Sequence, residues 1–307
     1  KACKAVGWEI EEYGKAQVSI NLTDYTVTPP HAAFEAVREG AKKRGLRVTG
    51  SELVGLVPLE AMLLAGRHYL TSQGKTTGVP DEELVHVAME SLGLNDVSSF
   101  NPEERIVEYR LVQKGKLASK SVSAFTDELS VDSPAPGGGS VSALMGALSA
   151  ALVSMVAALT HMKKGMKDVR GKMEKVGGQA QQLKDRLTCL VDEDTTAFND
   201  VMTAFRMKKR TDEEKCARNK AIQTATKEAT QIPMEVCQLC FEAMELSHIV
   251  VKKGNPNSVS DAAVAAEAAL AGLRGARLNV LINLDGIDDK DFCSELKNSS
   301  DSLMKKG

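Results

Sequence analysis

One acidic residue interrupts an apolar stripe in the second half of the chain. Apolar side chains recur at helical spacing from Leu183 to Phe205, and Asp194 occupies a position on that stripe. A carboxyl group turned towards a core is desolvated, which raises its pKa towards the range useful for proton transfer. The pattern indicates an acid-base residue at Asp194, with a structural cap on a neighbouring helix as the alternative. Asp192 and Glu193 point away from the centre of the stripe, which favours simple solvation.

A glycine-rich turn precedes the longest uncharged stretch. Residues 133–140 read SPAPGGGS, and Gly137, Gly138 and Gly139 let the backbone pass close to a ligand. Ser140 is a good N-cap residue, so free N–H groups and the helix dipole would favour an anion or a carbonyl-rich ring. We interpret the segment as a ligand cradle, with a flexible hinge as the alternative. No strand leads into it and no lysine follows it, which argues against nucleotide-binding fingerprints.

A second polar loop, KKGNPNSVSD, occupies residues 252–261. Ser258 and Asp261 have the spacing of a capping box for the Ala-rich helix that follows, and capping alone could explain both. Asn255 and Asn257 add neutral donors and acceptors at a helix start, which suits contact with a heterocyclic ring. The loop is therefore a second candidate binding segment.

The sequence gives less support for a metal site or a reactive cysteine. Cys237 and Cys240 share an apolar helical face without a second Cys pair, which favours core packing. The five histidines are scattered without metal-ligand spacing, so we expect no metal. The basic run over residues 163–175 is typical of a solvated face, with a landing strip for a polyanionic tail as the alternative.

Helices must position these residues. From Ser140 to Leu303, Ala, Leu, Met and charged residues recur at helical spacing, which predicts an all-helical half. Residues 141–159 carry no charge and are long enough for a membrane span. Many Ser and Ala make this stretch only weakly apolar, so we predict a helix buried on most faces, with close helix contacts.

The first third alternates between strand and helix patterns. We predict strands at residues 16–28, 47–57 and 105–112, and helices that follow Pro29 and Pro30, open at Pro58 and span roughly residues 81–92. This order indicates a small α/β layer domain. Residues 114–133 are rich in Ser and Lys and suit a linker with one short helical patch.

Composition limits the function classes. A length of 307 residues indicates about two domains. The net charge of −2 gives no bulk attraction to nucleic acid. Six cysteines are too sparse for a disulfide framework, so a reducing cytosol is the default. Because the sequence starts at Lys1 rather than Met, we expect a fragment.

The motif order resembles a known family. SPAPGGGS, VDEDTTAF, GNPNSVSDAAVAA and NVLINL, within residues 121–290, are similar to the cyclodeaminase domain of formiminotransferase-cyclodeaminases. AQVSINLTDYTVT and SELVGLVPLEAMLLAG resemble the C-terminal subdomain of their formiminotransferase unit. The resemblance implies an α+β multidomain chain. A small α/β (ferredoxin-like) subdomain spans residues 1–113, a linker spans 114–128 and an all-α helical bundle domain spans 129–307. Nothing matches the N-terminal transferase subdomain that carries the catalytic His, so we expect no transferase activity from this chain alone.

The resemblance also implies a reaction and a site. The family's deaminase converts 5-formiminotetrahydrofolate to 5,10-methenyltetrahydrofolate and ammonia in histidine degradation, with tetrahydrofolate as the substrate carrier and no metal. Asp194 then corresponds to the catalytic acid, and Asp261 is assigned as a second carboxylate for orientation. The expected folate contacts are the turn and loop residues Gly137, Gly138, Gly139, Ser140, Asn255 and Asn257.

Partners follow from the same resemblance. It implies a homo-oligomer with sites at dimer interfaces, a folate substrate that can be polyglutamylated, and a cytoplasmic location with association to the Golgi, the centrosome or intermediate filaments. We expect no nucleic acid partner and no membrane span. Two rival functions stay open, a methenyltetrahydrofolate cyclohydrolase and a non-catalytic interaction module.

Overall fold

The chain divides into two compact units. The computed structural model describes residues 2–11, 14–111 and 115–307, and its contacts separate residues 1–113 from residues 114–307. Each unit has its own hydrophobic core.

The first unit combines one antiparallel hairpin with helices. Strands β1 (Cys3–Ile10) and β2 (Lys15–Leu22) pair in a register that places Val6 opposite Ser19 and Trp8 opposite Gln17. The strand predicted over residues 16–28 is confirmed but ends at Leu22, because the Asp24 carboxylate accepts hydrogen bonds from the Thr26 backbone and hydroxyl and closes a turn. The elements are β1 (Cys3–Ile10), β2 (Lys15–Leu22), α1 (Pro30–Lys42), α2 (Leu59–Ser72), α3 (Asp81–Leu92), α4 (Pro102–Arg105) and α5 (Val107–Leu111).

Two strands predicted in this unit are wrong. Among the described residues of 47–57 and 105–112, only an isolated bridge between Val57 and Ile106 forms, and helices α4 and α5 occupy most of the second segment. Asn101 caps α4 by accepting from the Glu103 N–H, with Pro102 at its first position. Residue 112 lies outside the described residues. The fold is therefore mostly helical, and the ferredoxin-like arrangement stays a prediction.

The second unit is all-helical in its described residues, as predicted. Short loops join its long helices, so successive helices run antiparallel. Its elements are α6 (Val122–Leu129), α7 (Gly138–Met162), a 3₁₀ turn (Lys167–Val169), α8 (Arg170–Phe205), α9 (Asp212–Lys253), a 3₁₀ turn (Pro256–Ser258), α10 (Val259–Leu284) and α11 (Lys290–Lys306).

The segment predicted as a linker contributes to this second core. Leu117 and Phe125 are buried with the side chains of the bundle helices. Ser121 caps α6 by accepting a hydrogen bond from the Ala124 N–H. Leu117 and Phe125 therefore anchor the segment to the bundle, while most of the other residues from 115 to 129 are exposed.

Small residues bring three bundle helices together around one thiol. A Cβ at Gly146 of α7 would lie 2.6 Å from the Cys240 Sγ of α9, and a Cβ at Gly272 of α10 would lie 2.8 Å from it. Cys237 and Cys240 are both fully buried, which confirms core packing. Glycines on α7 and α10 thus supply the space that the sulfur fills.

One face of α7 stays uncovered. The helix has the length and hydropathy of a membrane span, and 56% of its most apolar window is buried inside the unit. The predicted burial of α7 is correct for its faces towards α8 and α10. On the remaining face, Leu148, Met155, Leu159 and Met162 recur at helical spacing and are 40–54% exposed. These four residues form the α7 stripe.

Candidate active site

Asp194 lies against the first turn of α7. The Ser140 hydroxyl is 3.0 Å from Asp194 Oδ2, and the Ser140 backbone N–H also hydrogen-bonds to the carboxylate. Gly137 is the N-cap of α7 and has no side chain to cap the helix. Ser140 was predicted as that cap but lies three positions further along. The carboxylate of α8 supplies the missing acceptor instead.

Burial sets the protonation behaviour of this carboxyl. Desolvation is the largest cause and raises the pKa of Asp194, and the two Ser140 hydrogen bonds lower it by less. The cap that the sequence left open as an alternative is present, and the same carboxyl has the raised pKa expected of an acid-base group. Capping and proton transfer are compatible roles for this side chain.

The glycine turn fits closely around this carboxyl. A Cβ at Gly139 would overlap both oxygens of Asp194, so only glycine allows this approach. A Cβ at Gly138 would lie 3.5 Å from Asn279 Nδ2 of α10. Gly138 and Gly139 belong to the first turn of α7, where helical N–H groups have no partner within the helix, and Gly138 is exposed whereas Gly139 is buried behind Asp194.

Asn279 is a site residue that the functional assignment missed. It faces Gly138 while its Nδ2 donates to the Gly275 carbonyl at 2.9 Å. It is the first residue of NVLINL, a polar position within an apolar helix, and that contrast was the available signal. Thr195 was also missed, and its hydroxyl lies 3.3 Å from Ser140 Oγ.

The two acids before Asp194 are not simply solvated, so that prediction is wrong. The Asp192 carboxylate accepts from the Leu117 N–H at 2.8 Å and the Ala118 N–H at 3.0 Å, which fixes the segment before α6. Glu193 pairs with Arg186, and Arg186 also donates to Glu235 of α9. Asp192 thus connects α8 to the segment before α6, and Glu193 is linked to α9 through Arg186.

The α8 stripe leaves the core beyond the site. Leu187 and Leu190 are fully buried, but Phe205 is 48% exposed. The predicted apolar stripe is therefore buried near Asp194 and exposed at its C-terminal end. Helix α8 continues eleven residues past Asp194, whereas α7 begins beside it. This extension leaves the helix without α7 as a neighbour.

The second candidate loop lies at the other end of the bundle. The Asn255 N–H donates to Thr160 Oγ1 at 2.8 Å, near the C-terminus of α7. Gly139 and Thr160 are 21 residues apart on that helix, which is about 30 Å along its axis at 1.5 Å per residue. Within one chain, the structure therefore separates Asn255 and its neighbours from Asp194.

Local contacts explain part of that loop. Asn255 Oδ1 accepts from the Asn257 N–H at 3.0 Å and from Lys163, so Asn255 caps a 3₁₀ turn and joins it to the basic run. Ser258 makes no side-chain cap, which contradicts the predicted capping box. The half-buried Asp261 makes no hydrogen bond or ion pair with any described residue.

Features outside the Asp194 site and the Asn255 loop give weaker grounds for a binding site. No group of three His, Cys, Asp or Glu among the described residues could hold a metal ion. The rings of His31 and His68, which are distant in sequence, stack with centroids 4.2 Å apart. A shallow groove of about 540 Å³ separates α10 from α11, and none of the predicted site residues lines it.

Comparisons with known proteins agree with this geometry. The profile of the formiminotransferase-cyclodeaminase family matches residues 121–302, and that of the formiminotransferase domain matches residues 1–112. The second match spans the first unit, so the expectation that an N-terminal transferase part is absent is not supported.

Individual relatives match over different shares of their length. The chain is 35% identical over 308 residues to formimidoyltransferase-cyclodeaminase of Rattus norvegicus, covering 99% of this chain and 57% of the rat protein. It is 42% identical over 186 residues to methenyltetrahydrofolate cyclohydrolase of Methylorubrum extorquens, covering 61% and 89%. The crystal structure of formiminotetrahydrofolate cyclodeaminase from Thermotoga maritima matches with a TM-score of 0.54 and 31% identity, covering 61% and 91%. This chain therefore belongs to the formiminotransferase-cyclodeaminase family.

Proposed function

We propose that the chain is a formimidoyltetrahydrofolate cyclodeaminase, which closes 5-formiminotetrahydrofolate to 5,10-methenyltetrahydrofolate and releases ammonia. The observation that carries this proposal is the partly buried Asp194 carboxyl, whose pKa is raised by desolvation and which lies directly against the glycine turn at the start of α7. Family membership and the cyclodeaminase structure from Thermotoga maritima support the same reaction.

Asp194 has the properties that the two proton transfers need. The folate N10 nitrogen attacks the formimino carbon, a C–N bond forms, and N10 loses its proton to the Asp194 carboxylate. The resulting carboxylic acid then protonates the amino nitrogen, and the bond from carbon to that nitrogen breaks as ammonia leaves. A carboxyl with a raised pKa performs both steps better than an ordinary aspartate, because its acid and base forms are closer in free energy at neutral pH.

Neighbouring groups would orient the ring. The exposed Gly138 lies at the positive end of α7, and its N–H group would suit the carbonyl oxygen of a pterin. Asn279 adds an amide beside Gly138. The tetrahydrofolate carrier supplies the reacting nitrogen, so orientation and proton transfer are what the chain contributes.

A specific observation favours cyclohydrolase activity as the second candidate. The cyclohydrolase of Methylorubrum extorquens has 42% identity to this chain, which exceeds the 35% of the rat cyclodeaminase. The two substrates differ at the one-carbon unit, so one site could bind either. A cyclohydrolase would open the methenyl ring with water instead of forming it.

Direct assay separates these candidates. With 5-formiminotetrahydrofolate, we expect the absorbance of the methenyl product to appear together with one equivalent of ammonia. With 5,10-methenyltetrahydrofolate alone, we expect no ring opening above the uncatalysed rate. Loss of methenyl absorbance without ammonia release would establish the cyclohydrolase instead, and no change with either folate would support a binding module.

Transferase activity is proposed only for the whole protein. The rat relative is 57% covered by this chain, and residues 1–112 match a formiminotransferase domain. We propose glutamate formimidoyltransferase activity for the complete protein and do not assign it to the first unit alone. A cytoplasmic location with Golgi association is likewise a proposal from the family.

We further propose that two copies of the chain build each site. The α7 stripe is uncharged, so an apolar partner surface would cover it, and a second α7 offers one. An antiparallel pairing of two α7 helices would bring the Asn255 end of one copy beside the Asp194 end of the other. This arrangement would reunite the two segments that one chain separates by about 30 Å.

Mixing inactive variants tests the shared site. If each site takes Asp194 from one copy and Asp261 from the other, then Asp194→Asn and Asp261→Asn are each inactive alone. Random mixing of the two should restore about a quarter of wild-type activity, because half of the dimers are mixed and each has one intact site. An active Asp261→Asn variant, or no recovery on mixing, would contradict the shared site.

A charge on the α7 stripe tests the surface itself. Leu148→Glu should shift the mass measured by light scattering to that of a smaller assembly, because it buries a carboxylate against apolar partners. Val122→Glu on α6 is the control, since Val122 is 84% exposed and lies outside the stripe. Unchanged mass for Leu148→Glu would exclude this face as the interface.

A further inference from the structure

The hydroxyl of Ser140 lies among three oxygen atoms. It is 2.9 Å from the Val191 carbonyl, 3.0 Å from Asp194 Oδ2 and 3.3 Å from the Thr195 hydroxyl. Ser140 has no exposed surface, so it does not contact a ligand in the open site. Its surroundings are therefore those of an internal polar network rather than of a substrate contact.

A single hydroxyl hydrogen cannot serve both acceptors. When Asp194 is ionised, its oxygen accepts and the Ser140 hydrogen points to it. When Asp194 is protonated, the carboxyl can donate to Ser140 Oγ, and the Ser140 hydrogen can turn to the Val191 carbonyl. Both arrangements leave the buried hydroxyl fully hydrogen-bonded, which avoids the cost of an unsatisfied polar group in either state.

We propose that Ser140 is a positioning residue that reverses its hydrogen bond with the protonation of Asp194, so that the carboxyl gains and releases its proton without moving. The inference rests on the proposed function, because it concerns how that reaction's acid-base group changes state. It assigns Ser140 a role beneath the carboxyl in place of the folate contact expected from the sequence.

The surroundings of Asp194 leave this hydroxyl as its main adjustable partner. Helix α7 presents Gly139 and Ser140, and α10 presents the neutral Asn279 to the same turn. On α8 itself, Asp192 is held by the Leu117 and Ala118 N–H groups and Glu193 by Arg186. No charged side chain among the described residues contributes to the shifted pKa of Asp194.

Infrared titration of the Asp194 carboxyl tests the proposal without turnover. The protonated carbonyl stretch of Asp194 is the band that Asp194→Asn removes, and its pH midpoint reports the pKa directly. In Ser140→Ala the midpoint should move to higher pH, because the ionised carboxylate loses a charge-assisted donor that is stronger than the bond lost by the acid. The turnover of Ser140→Ala should fall about tenfold.

A matched substitution separates this role from packing. Ser149 lies on the same helix, is equally buried, and its hydroxyl has no hydrogen-bond partner among the described residues. Ser149→Ala should leave the midpoint in place. Thr195→Val, which leaves Ser140 intact, should move it less than Ser140→Ala does.

Specific infrared results would overturn the role proposed for Ser140. An unchanged midpoint in Ser140→Ala, or an equal change in Ser149→Ala, would overturn the proposal. If Ser140→Ala does not fold, the order of the midpoints of Thr195→Val and Ser149→Ala decides, and equal midpoints would count against it. Failure of the proposed function would show instead as absence of methenyl product from the wild-type protein, while its infrared titration could still succeed.

Discussion

Asp194→Asn is expected to lower turnover by about 10²- to 10⁴-fold, the range for loss of a general acid-base group. Asparagine keeps an oxygen that can accept from the Ser140 N–H and hydroxyl, so the cap on α7 is preserved. The substitution therefore removes the proton-carrying role and retains the structural one. This separation is what distinguishes the two roles that the geometry allows.

Stability should respond to pH in a defined direction. Because the folded pKa of Asp194 is raised above the ordinary value of 3.8, the folded protein holds this proton more tightly than the unfolded chain does. The resulting stabilisation is complete below pH 3.8 and is lost as pH rises through the raised pKa. Asparagine does not titrate, so the Tm of Asp194→Asn relative to wild type should increase from acid to neutral pH.

Three measurements check this prediction together. Turnover is followed as methenyl absorbance, Tm by circular dichroism at acid and neutral pH, and assembly by light scattering. Full activity of Asp194→Asn would exclude this carboxyl as the acid-base group. A loss of activity accompanied by unfolding at neutral pH would place the effect of the substitution in the fold rather than in proton transfer.

Gly139→Ala is expected to reduce turnover by about 10²-fold, because misplacement of a reacting group by about 1 Å costs that much. The new methyl group would overlap both oxygens of Asp194 and displace the carboxyl from Ser140. Stability should also fall by about 1–3 kcal/mol, because overpacking of this buried contact outweighs the gain of about 0.5–1 kcal/mol from replacing a helical glycine.

The control for Gly139→Ala is another helical glycine. A Cβ at Gly178 of α8 meets nothing within 4 Å, so Gly178→Ala should keep full turnover and raise stability by about 0.5–1 kcal/mol. Equal turnover in the two variants would mean that the contact between Gly139 and Asp194 does not matter. Unfolding of Gly139→Ala alone would place its effect in the fold instead.

Periodicity predicted the long helices because their buried faces repeat over many turns. The stripe through Leu187 and Leu190 is deeply buried, and the α7 region was correctly assigned as a helix. Short segments were less predictable. Ile106 carries a strand-like local pattern, but one bridge to Val57 and a cap from Asn101 decide its surroundings, and both depend on distant or turn contacts.

The site was predictable where one helix determines it. The position of Asp194 on an apolar stripe indicated both its desolvation and its possible capping role. The ends of α7 were not predictable in the same way, because nothing local shows that Asn255 and Gly139 lie at opposite ends of the bundle. Predicting Asn279 as a site residue would have required knowing which turn of α10 packs on Gly138. That choice depends on how the two helices are aligned.

The run from Asp192 to Asp194 has a consequence for how this sequence can vary. Three successive carboxyl groups have three different partners: Asp192 holds the segment before α6, Glu193 pairs with Arg186 of the same helix, and Asp194 holds the start of α7. Each step along a helix turns the side chain by about 100°. Loss or gain of one residue between Arg186 and Asp192 would therefore separate all three carboxyl groups from their partners at once, whereas a single substitution disturbs only one of these contacts.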